Sequence, residues 1–262
     1  KLNSIPYNCL MLEKESFIGQ QRVFSHQTGG VLAPPNSLAG LIYARNLGFQ
    51  NIHFDVRLTA DGVPILRSEE SIDVTDSTTT IVSEVFFDQI NGLDIGIDYG
   101  NEYSGEKLPT LYQALSASTE LGIRPIVELK ASIGQEQSIA EISIDILNRV
   151  SREKLLFPLI IAENVLTLAT LMDIAPKIAR GLIWSNNLIN EPSNNDHEAL
   201  MCQCVIIPIQ LISVQLMETL HLRQYSVVAT NINDSMDAIT AAEHKVDALV
   251  TAQIDSIGPY FL

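Results

Sequence analysis

Hydrophobic and polar positions follow two alternating patterns along the chain. Short apolar runs are typical of buried strands, and longer stretches with an apolar residue every three or four positions are typical of helices. The predicted strands are Arg22–His26, Asn51–Arg57, Arg124–Lys130, Phe157–Ala162, Ala179–Trp184, Gln203–Pro208, Tyr225–Asn231 and Asp247–Thr251. The predicted helices are Asn36–Leu47, Thr110–Leu121, Glu136–Val150, Val165–Ile174, a short one at His197–Met201, Ser213–Leu222 and Ser235–His244.

This alternation of apolar strands and helices predicts a parallel sheet covered by helices, since parallel strands need a helical crossover between them. The eight predicted strands fit a closed (β/α)8 TIM barrel formed as one domain over residues 1–262. An open, doubly wound sheet is the alternative architecture.

The longest interruption of the pattern lies between the second and third predicted strands, from Leu58 to Leu108. It contains an Asp61-Gly62 turn signal and a Thr/Ser/Asp cluster at Thr75–Thr80. We therefore predict a small insertion at about 58–108, beside the barrel mouth. Residues 1–20 are expected to cover the barrel bottom or its flank.

The composition supports a single core and excludes some partners. The 262 residues are 46% apolar, and the formal net charge is −15. Such an acidic chain is unsuited to nucleic acid or to anionic membranes, and it would need a local cation to bind a phosphate. No apolar run reaches the roughly 20 residues that a membrane-spanning helix requires, so no stable membrane insertion is expected.

The cysteines are Cys9, Cys202 and Cys204. An odd count favours reduced thiols over a disulfide framework, and a cytoplasmic location fits that interpretation. On a strand, Cys202 and Cys204 would point to the same face.

Ligand-type residues recur near the ends of the first three predicted strands. His26 ends the first strand, His53 and Asp55 share one face of the second, and Glu128 and Lys130 share one face of the third. Barrel enzymes build their sites at this C-terminal rim. Two carboxylates and an imidazole suit a divalent cation, Lys130 suits a phosphate oxygen, and His26 suits proton transfer.

Ordinary roles remain open for each residue taken alone. Glu128 and Lys130 would also form a simple ion pair, and a lone histidine in a strand is more often structural than catalytic. Their joint placement on three consecutive strands favours a site. We also expect the N–H groups of Gly29-Gly30 to approach an anion. The other histidines, His197, His221 and His244, have the pattern of ordinary helix or loop residues.

Several segments, in order, resemble the motifs of glycerophosphodiester phosphodiesterases. The segments are His26–Ala39, Gly48–Gly62, Leu108–Leu111, Val127–Lys130, Ala175–Pro176 with Arg180–Leu182, Asn231–Asp234 and Val250–Pro259. The resemblance covers nearly the whole chain from about residue 21. It is strongest to the small cytosolic bacterial branch of the family.

The resemblance implies a barrel that hydrolyses glycerophosphodiesters to glycerol 3-phosphate and an alcohol with a divalent cation. In the family, two histidines perform acid–base work, an arginine contacts phosphate and three carboxylates hold the metal. His26 matches the first histidine, and Asp55 and Glu128 match two of the metal carboxylates. Asn36 and Lys130 also match the family pattern.

The chain departs from the family pattern at functional positions. Gln27 replaces the phosphate arginine, His53 replaces the first metal carboxylate, and Ser68 replaces the second histidine. The other departures are Pro35, Glu69, Val74 and Ala252. Loss of one acid–base group typically costs about 10²- to 10⁴-fold in rate, so family chemistry is expected to be weak or altered.

Two hypotheses follow. In the first, the protein is a metal-assisted phosphodiesterase of altered or weak activity, acting on a small phosphodiester. In the second, it is a catalytically inactive barrel that binds a phosphorylated or polyol ligand. The candidate roles are catalytic for His26, Ser68 and Lys130, substrate-binding for Gln27, Asn36 and Lys130, and metal-binding (Mg, Ca, Mn or Zn) for His53, Asp55 and Glu128. A homo-oligomer is compatible with the sequence.

Overall fold

The computed structural model describes residues 18–75, 78–150, 158–184 and 200–262. Eight parallel strands form the barrel: β1 (Val23–Ser25), β2 (Asn51–Leu58), β6 (Arg124–Leu129), β7 (Leu159–Ala162), β8 (Ala179–Ile183), β9 (Cys204–Pro208), β10 (Ser226–Ile232) and β11 (Ala248–Thr251). Three further strands lie in the insertion: β3 (Pro64–Leu66), β4 (Ser71–Thr75) and β5 (Thr78–Ile81). Strand β1 pairs with both β11 and β2, which closes the ring. The predicted (β/α)8 barrel is therefore confirmed, and the open-sheet alternative is wrong.

The helices follow the predicted pattern closely. They are α1 (Leu38–Asn46), α2 (Phe87–Ile90), α3 (Leu111–Leu121), α4 (Glu136–Val150), α5 (Val165–Ile174), α6 (Val214–Leu222) and α7 (Ser235–Glu243). The Thr110 hydroxyl accepts from the Gln113 N–H, and the Gln113 side chain accepts from the Thr110 N–H, so a capping box begins α3. The first strand is shorter than predicted and does not include His26. Most of the predicted His197–Met201 helix, and residues 1–17, lie outside the described residues.

The two faces of each barrel strand lie in different cores. One buried cluster draws its members from β1 and β6–β11 and fills the barrel interior; it includes Phe24, Ile126, Ile161, Ile206 and Val250. Phe54 and Val56 instead pack with side chains of α3, α4 and α5 outside the barrel. Because side chains alternate along a strand, His53, Asp55 and Arg57 of β2 face inward. In β6, Ile126 faces the barrel interior, so the same alternation also turns Glu128 inward, together with Lys130 just after the strand.

The predicted insertion is present, and it begins as a continuation of the sheet. After β2 ends at Leu58, β3 returns antiparallel to it, with Val56 opposite Leu66. Strands β4 and β5 form a separate hairpin. The insertion has its own small core, formed by Ile65, Ile72, Val82, Val85, Ile90 and Leu108. The insertion therefore has a second, local hydrophobic core beside the barrel.

Cys202 and Cys204 are free and buried. Cys202 packs with the helical layer and Cys204 with the barrel interior, so the prediction that they share a face is wrong. The reason is that β9 begins only at Cys204, so strand alternation does not extend to Cys202. Burial raises the pKa of the Cys202 thiol to about 12. Among the described residues, no helix is both long and apolar enough to cross a membrane.

Candidate metal and phosphate site

The fold brings the candidate metal ligands together at the C-terminal rim. Strand β2 pairs with β6 so that Asp55 lies opposite Glu128, and both face inward. Ligand atoms of His53, Asp55 and Glu128 all lie within 4.8 Å of one another. His53 and Asp55 are 3% and 1% exposed, so this cluster is the floor of the mouth and not a surface patch.

Lys130 and His53 connect the two carboxylates. The Lys130 ammonium donates to Glu128 Oε1 at 2.8 Å and lies 3.7 Å from Asp55 Oδ1. His53 Nε2 lies 3.1 Å from Glu128 Oε2 and 4.0 Å from Asp55 Oδ1. The ion pair between Glu128 and Lys130 therefore exists, but as one side of a four-residue network. The ion pair predicted as the ordinary role is thus present, and a functional role for Glu128 and Lys130 stays a prediction.

Two amide side chains fix the carboxylate of Asp55. Gln27 Nε2 donates to Asp55 Oδ2 at 3.1 Å, and Asn36 Nδ2 donates to the same oxygen at 3.0 Å. The Asp55 N–H donates back to Asn36 Oδ1 at 2.9 Å. Asn36 is 3% exposed and has a left-handed φ of 55°, a conformation that asparagine tolerates better than most residues. Both amides thereby orient Asp55; a direct contact of either with substrate stays a prediction.

The network sets the charges of Glu128 and Lys130. Burial alone would raise the pKa of Glu128, but the His53 hydrogen bond and charge, with Lys130, outweigh it and lower that pKa to about 2. Burial would lower the pKa of Lys130, but Glu128 and Asp55 raise it above its usual value. At neutral pH, the mouth therefore holds a carboxylate and an ammonium in direct contact.

His26 stacks on His53 at the edge of this network. The two ring centroids are 5.1 Å apart with an interplanar angle of 20°. Burial, followed by the neighbouring His53, lowers the pKa of His26 to about 4, although Asp55 and Glu128 act in the opposite direction. A neutral imidazole has a free nitrogen lone pair that can accept a proton, and the lowered pKa makes His26 a weaker base than a free histidine.

The donor set of the cluster fits a divalent cation, with a condition on His53. Two carboxylates supply hard oxygen ligands, and an imidazole adds a nitrogen that Zn²⁺ and Mn²⁺ accept more readily than Mg²⁺ or Ca²⁺. When the His53 ring is neutral, the Gln27 N–H that faces Nδ1 at 3.5 Å favours the ring proton on Nε2. For Nε2 to bind an ion, the proton must move to Nδ1, at the expense of that weak contact. Asp55 and Glu128 are subject to no such condition, so they are the stronger candidates for metal ligands.

Ser68 and the glycine pair do not join the cluster. The Ser68 carbonyl accepts from Arg57 Nε at 2.8 Å, and its hydroxyl forms no hydrogen bond within the part of the chain that the structure describes. The Gly29 N–H donates to the Gln27 carbonyl, and the Gly30 N–H donates to the His26 carbonyl. The prediction that these N–H groups would approach an anion is thus wrong. A side chain at Gly30 would meet the Ala252 carbonyl, so close packing explains the glycine.

A polar cavity of about 450 Å³ opens beside the cluster, above the ends of β2, β6 and β7. It is lined by Arg57, Glu128, Leu129, Lys130, Ala131, Glu163, Asn164 and Val165. Neither Arg57 nor Glu163 is among the candidate residues that the sequence patterns predicted. The signal for Arg57 was present, because it follows His53 and Asp55 at the same two-residue spacing.

Comparison with known proteins identifies related sequences over most of the chain. The sequence model of the glycerophosphoryl diester phosphodiesterase family matches residues 26–256. A glycerophosphodiester phosphodiesterase of Caldanaerobacter subterraneus subsp. tengcongensis is 28% identical over 167 residues, which is 64% of this chain and 68% of that protein. Glycerophosphodiester phosphodiesterase 1 of Bos taurus is 32% identical over 94 residues, which is 35% of this chain and only 28% of the bovine protein.

A solved structure matches the fold in nearly its full length. A phosphodiesterase of Oleispira antarctica, in complex with the product sn-glycerol-3-phosphate, superimposes with a TM-score of 0.81 at 26% identity. The match covers 88% of this chain and 92% of the Oleispira chain. The fold, the order of the motifs and the position of the site at the rim are therefore all consistent with one family.

Proposed function

This chain belongs to the glycerophosphoryl diester phosphodiesterase family, and we propose that it hydrolyses glycerophosphodiesters to glycerol 3-phosphate and an alcohol, with weak or altered activity. The observation that carries the proposal is the convergence of His53, Asp55 and Glu128 within 4.8 Å, next to the His26 imidazole. The product bound to the Oleispira phosphodiesterase supports a phosphorylated glycerol as the ligand class.

Asp55 and Glu128 would hold a divalent cation, with His53 as the third ligand once its proton has moved. When bound, such a cation polarises a phosphoryl oxygen and stabilises the charge that develops there. Lys130 contributes a second positive charge beside Glu128, at 2.8 Å. Gln27 and Asn36 keep Asp55 in place, because both donate to the same carboxylate oxygen.

His26 is the proton acceptor in this proposal. Its pKa, lowered by burial to about 4, leaves the ring neutral at pH 7, so it can take a proton from an attacking hydroxyl or water. Ser68 cannot protonate a departing alkoxide in place of the family's second histidine, because a serine hydroxyl is a very weak acid and this one forms no hydrogen bond to an acid or base among the described residues. The chemical step should therefore be limited by departure of the alcohol.

A leaving-group comparison tests this account. With Mn²⁺ present, turnover is measured on bis(p-nitrophenyl) phosphate, whose leaving group needs no proton, and on glycerophosphocholine and glycerophosphoethanolamine, whose alcohols do. We expect the activated substrate to be cleaved much faster. Ser68→His should then increase turnover of the natural diesters, by up to about 10²-fold, and leave the activated substrate nearly unchanged.

The matched control compares two histidines. His26→Ala should reduce turnover of every substrate by about 10²- to 10⁴-fold, whereas His221→Ala, on α6 and outside the mouth, should not. Unchanged turnover in His26→Ala would remove His26 from the mechanism. Equal rates on both substrate types would contradict the claim that Ser68, in place of the second histidine, makes departure of the alcohol rate-limiting.

One observation favours the second hypothesis, a barrel that binds a phosphorylated or polyol ligand without turnover. Gln27, at the position of the phosphate arginine, donates its amide to Asp55 at 3.1 Å and brings no positive charge to the mouth. A binder would be stabilised thermally by sn-glycerol 3-phosphate and would hydrolyse none of the diesters. The triple variant Gln27→Arg, His53→Glu and Ser68→His should then create activity. A triple variant that binds metal but remains inactive would count against a degraded family site.

A further inference from the structure

Arg57 is a cationic residue at the mouth that lines the polar cavity. It is the last inward-facing residue of β2 and lies two residues beyond Asp55 toward the C-terminal rim. Its side chain is partly buried, and it lines the polar cavity together with Lys130. The chain has a net charge of −15, so a cation in this position is the local exception that an anionic ligand would require.

Neutral acceptors hold the guanidinium of Arg57. Nε donates to the Ser68 carbonyl at 2.8 Å, and Nη1 lies 3.5 Å from the Lys130 carbonyl. Nη2 has no hydrogen-bond partner among residues 18–75, 78–150, 158–184 and 200–262. Within the same residues, no carboxylate lies within ion-pair distance of the guanidinium. Its orientation is therefore fixed by two backbone oxygens, while its charge is not neutralised by direct contact.

Several other donors near the mouth already have partners. The Gln27 amide is bonded to Asp55, and the Gly29 and Gly30 N–H groups are bonded to carbonyls. The N-terminus of α5 also borders the cavity, but the Asn164 side chain accepts from its Leu166 and Thr167 N–H groups. Arg57 and Lys130 are the cationic donors that line the cavity.

We propose that Arg57 binds the phosphate of the ligand, taking the role of the arginine that Gln27 replaces. The inference deepens the proposed function and rests on it for the identity of the glycerol ligand. Arg57 approaches from β2 and Lys130 from β6, so the phosphate lies between a fork of N–H donors and a point charge. A guanidinium offers two parallel N–H groups to one phosphate, which Gln27 does not.

The experiment measures two affinities in the full chain. Binding of inorganic phosphate and of sn-glycerol 3-phosphate is measured by calorimetry with Mn²⁺ present, and Mn²⁺ binding itself is measured by electron paramagnetic resonance. Arg57→Gln should lower the affinity for both anions by about 10- to 100-fold, since charge-assisted hydrogen bonds are lost. Its Mn²⁺ affinity should change by less than about 3-fold, because none of the metal-ligand candidates contacts the guanidinium.

Arg67→Gln is the matched control. Arg67 also donates through Nε and Nη2 to a backbone carbonyl, that of Ser71, but it does not line the cavity. Its replacement should leave phosphate affinity unchanged. If Arg57→Gln does not fold, Arg57→Lys decides the question: it retains the charge without the fork, so phosphate affinity should fall by about 3- to 10-fold.

The inference would be overturned if the wild-type protein bound no phosphate. It would also be overturned if Arg57→Gln or Arg57→Lys protein bound phosphate as tightly as wild type. An equal loss of Mn²⁺ and phosphate affinity would overturn it too, because that result would mark a structural role for Arg57. Failure of the proposed function looks different. If phosphate binds in an Arg57-dependent way but glycerol 3-phosphate does not and no diester is cleaved, the inference stands and the assigned ligand is wrong.

Discussion

Two histidine–carboxylate pairs of nearly equal geometry lie at different places in the barrel. His53 Nε2 is 3.1 Å from Glu128 at the C-terminal rim, and His221 Nε2 is 3.0 Å from Asp247. The second pair joins the end of α6 to the residue before β11, at the opposite end of the strands. A contact distance alone does not distinguish them.

Their surroundings do distinguish them. The His53–Glu128 pair also has Asp55, Lys130 and the stacked ring of His26 within reach, so it belongs to a cluster of charges. Asp247 instead uses the same oxygen to accept the Val227 N–H at 2.8 Å, which ties the pair to the backbone of β10. The comparison teaches that several ligand atoms within reach of one ion, here within 4.8 Å of one another, indicate a site better than one hydrogen-bonded pair does.

Removing one carboxylate should separate the two pairs most strongly. Asp55→Asn removes a carboxylate that the proposal makes a metal ligand, so Mn²⁺ affinity should fall by at least about 100-fold, more than the loss of an outer partner typically causes. Asp247→Asn should leave Mn²⁺ affinity unchanged. Calorimetric titration with Mn²⁺ checks both variants, and equal affinities in the two would show that the rim cluster holds no ion.

The pH dependence of stability should also come from the rim. The folded pKa of His26 is about 4, below its usual 6.5, so the unfolded chain binds the additional proton as pH falls from about 6.5 to 4, and stability is lost in that window. The loss should be on the order of 1–3 kcal/mol in chelator-treated protein. The pKa of Glu128 is about 2, below its usual value of 4.5, so protonation of Glu128 reduces the stability of the fold only as the pH falls below 4.5.

Urea denaturation at pH 7.0 and 5.0 measures this effect. In His26→Gln protein, the unfolding free energy should change little between these two pH values. In His221→Gln protein, it should change as much as in the wild type. If His26→Gln keeps the full slope, the buried imidazole is not its source.

Restoring the family carboxylate should have a moderate effect. His53→Glu removes the tautomer requirement and adds a hard ligand, so Mg²⁺ should bind on the order of 10-fold more tightly and the preference for Zn²⁺ should decrease. Competition between the two ions, followed by calorimetry, checks the change. Tighter Zn²⁺ binding in this variant would contradict the assignment of His53 as a ligand.

The smallest effect is expected at the lower pair. The His221 side chain is 32% exposed, so His221→Gln should cost at most about 1 kcal/mol of unfolding free energy. Thermal and urea unfolding measure the cost, and Mn²⁺ affinity should be unchanged. A loss of several kcal/mol would show that this pair is part of the structural core.

Sequence patterns predicted the barrel well, because each unit repeats a strong local signal. Apolar strands such as Arg124–Leu129 and capped helices such as Leu111–Leu121 carry the information in consecutive residues. The face shared by His53 and Asp55 followed from strand alternation, and their meeting with Glu128 followed from the order of the strands.

The side-chain partners at the rim could not be predicted in the same way. The turn of the Gln27 amide toward Asp55 depends on the left-handed backbone at Gln27 and Asn36, where φ is 47° and 55°. The role inferred for Arg57 depends on which carbonyls lie near its guanidinium, and these belong to the insertion and to the end of β6. Such contacts are set by tertiary packing between distant segments.

The most direct test of the central claim is a crystal of the full chain soaked in Mn²⁺, with anomalous scattering recorded to locate the ion. The account predicts one strong peak in the mouth, within about 2.3 Å of carboxylate oxygens of both Asp55 and Glu128 and of a nitrogen of His53. A mouth without a peak, with Lys130 and His53 still bonded to Glu128 at saturating Mn²⁺, would contradict it.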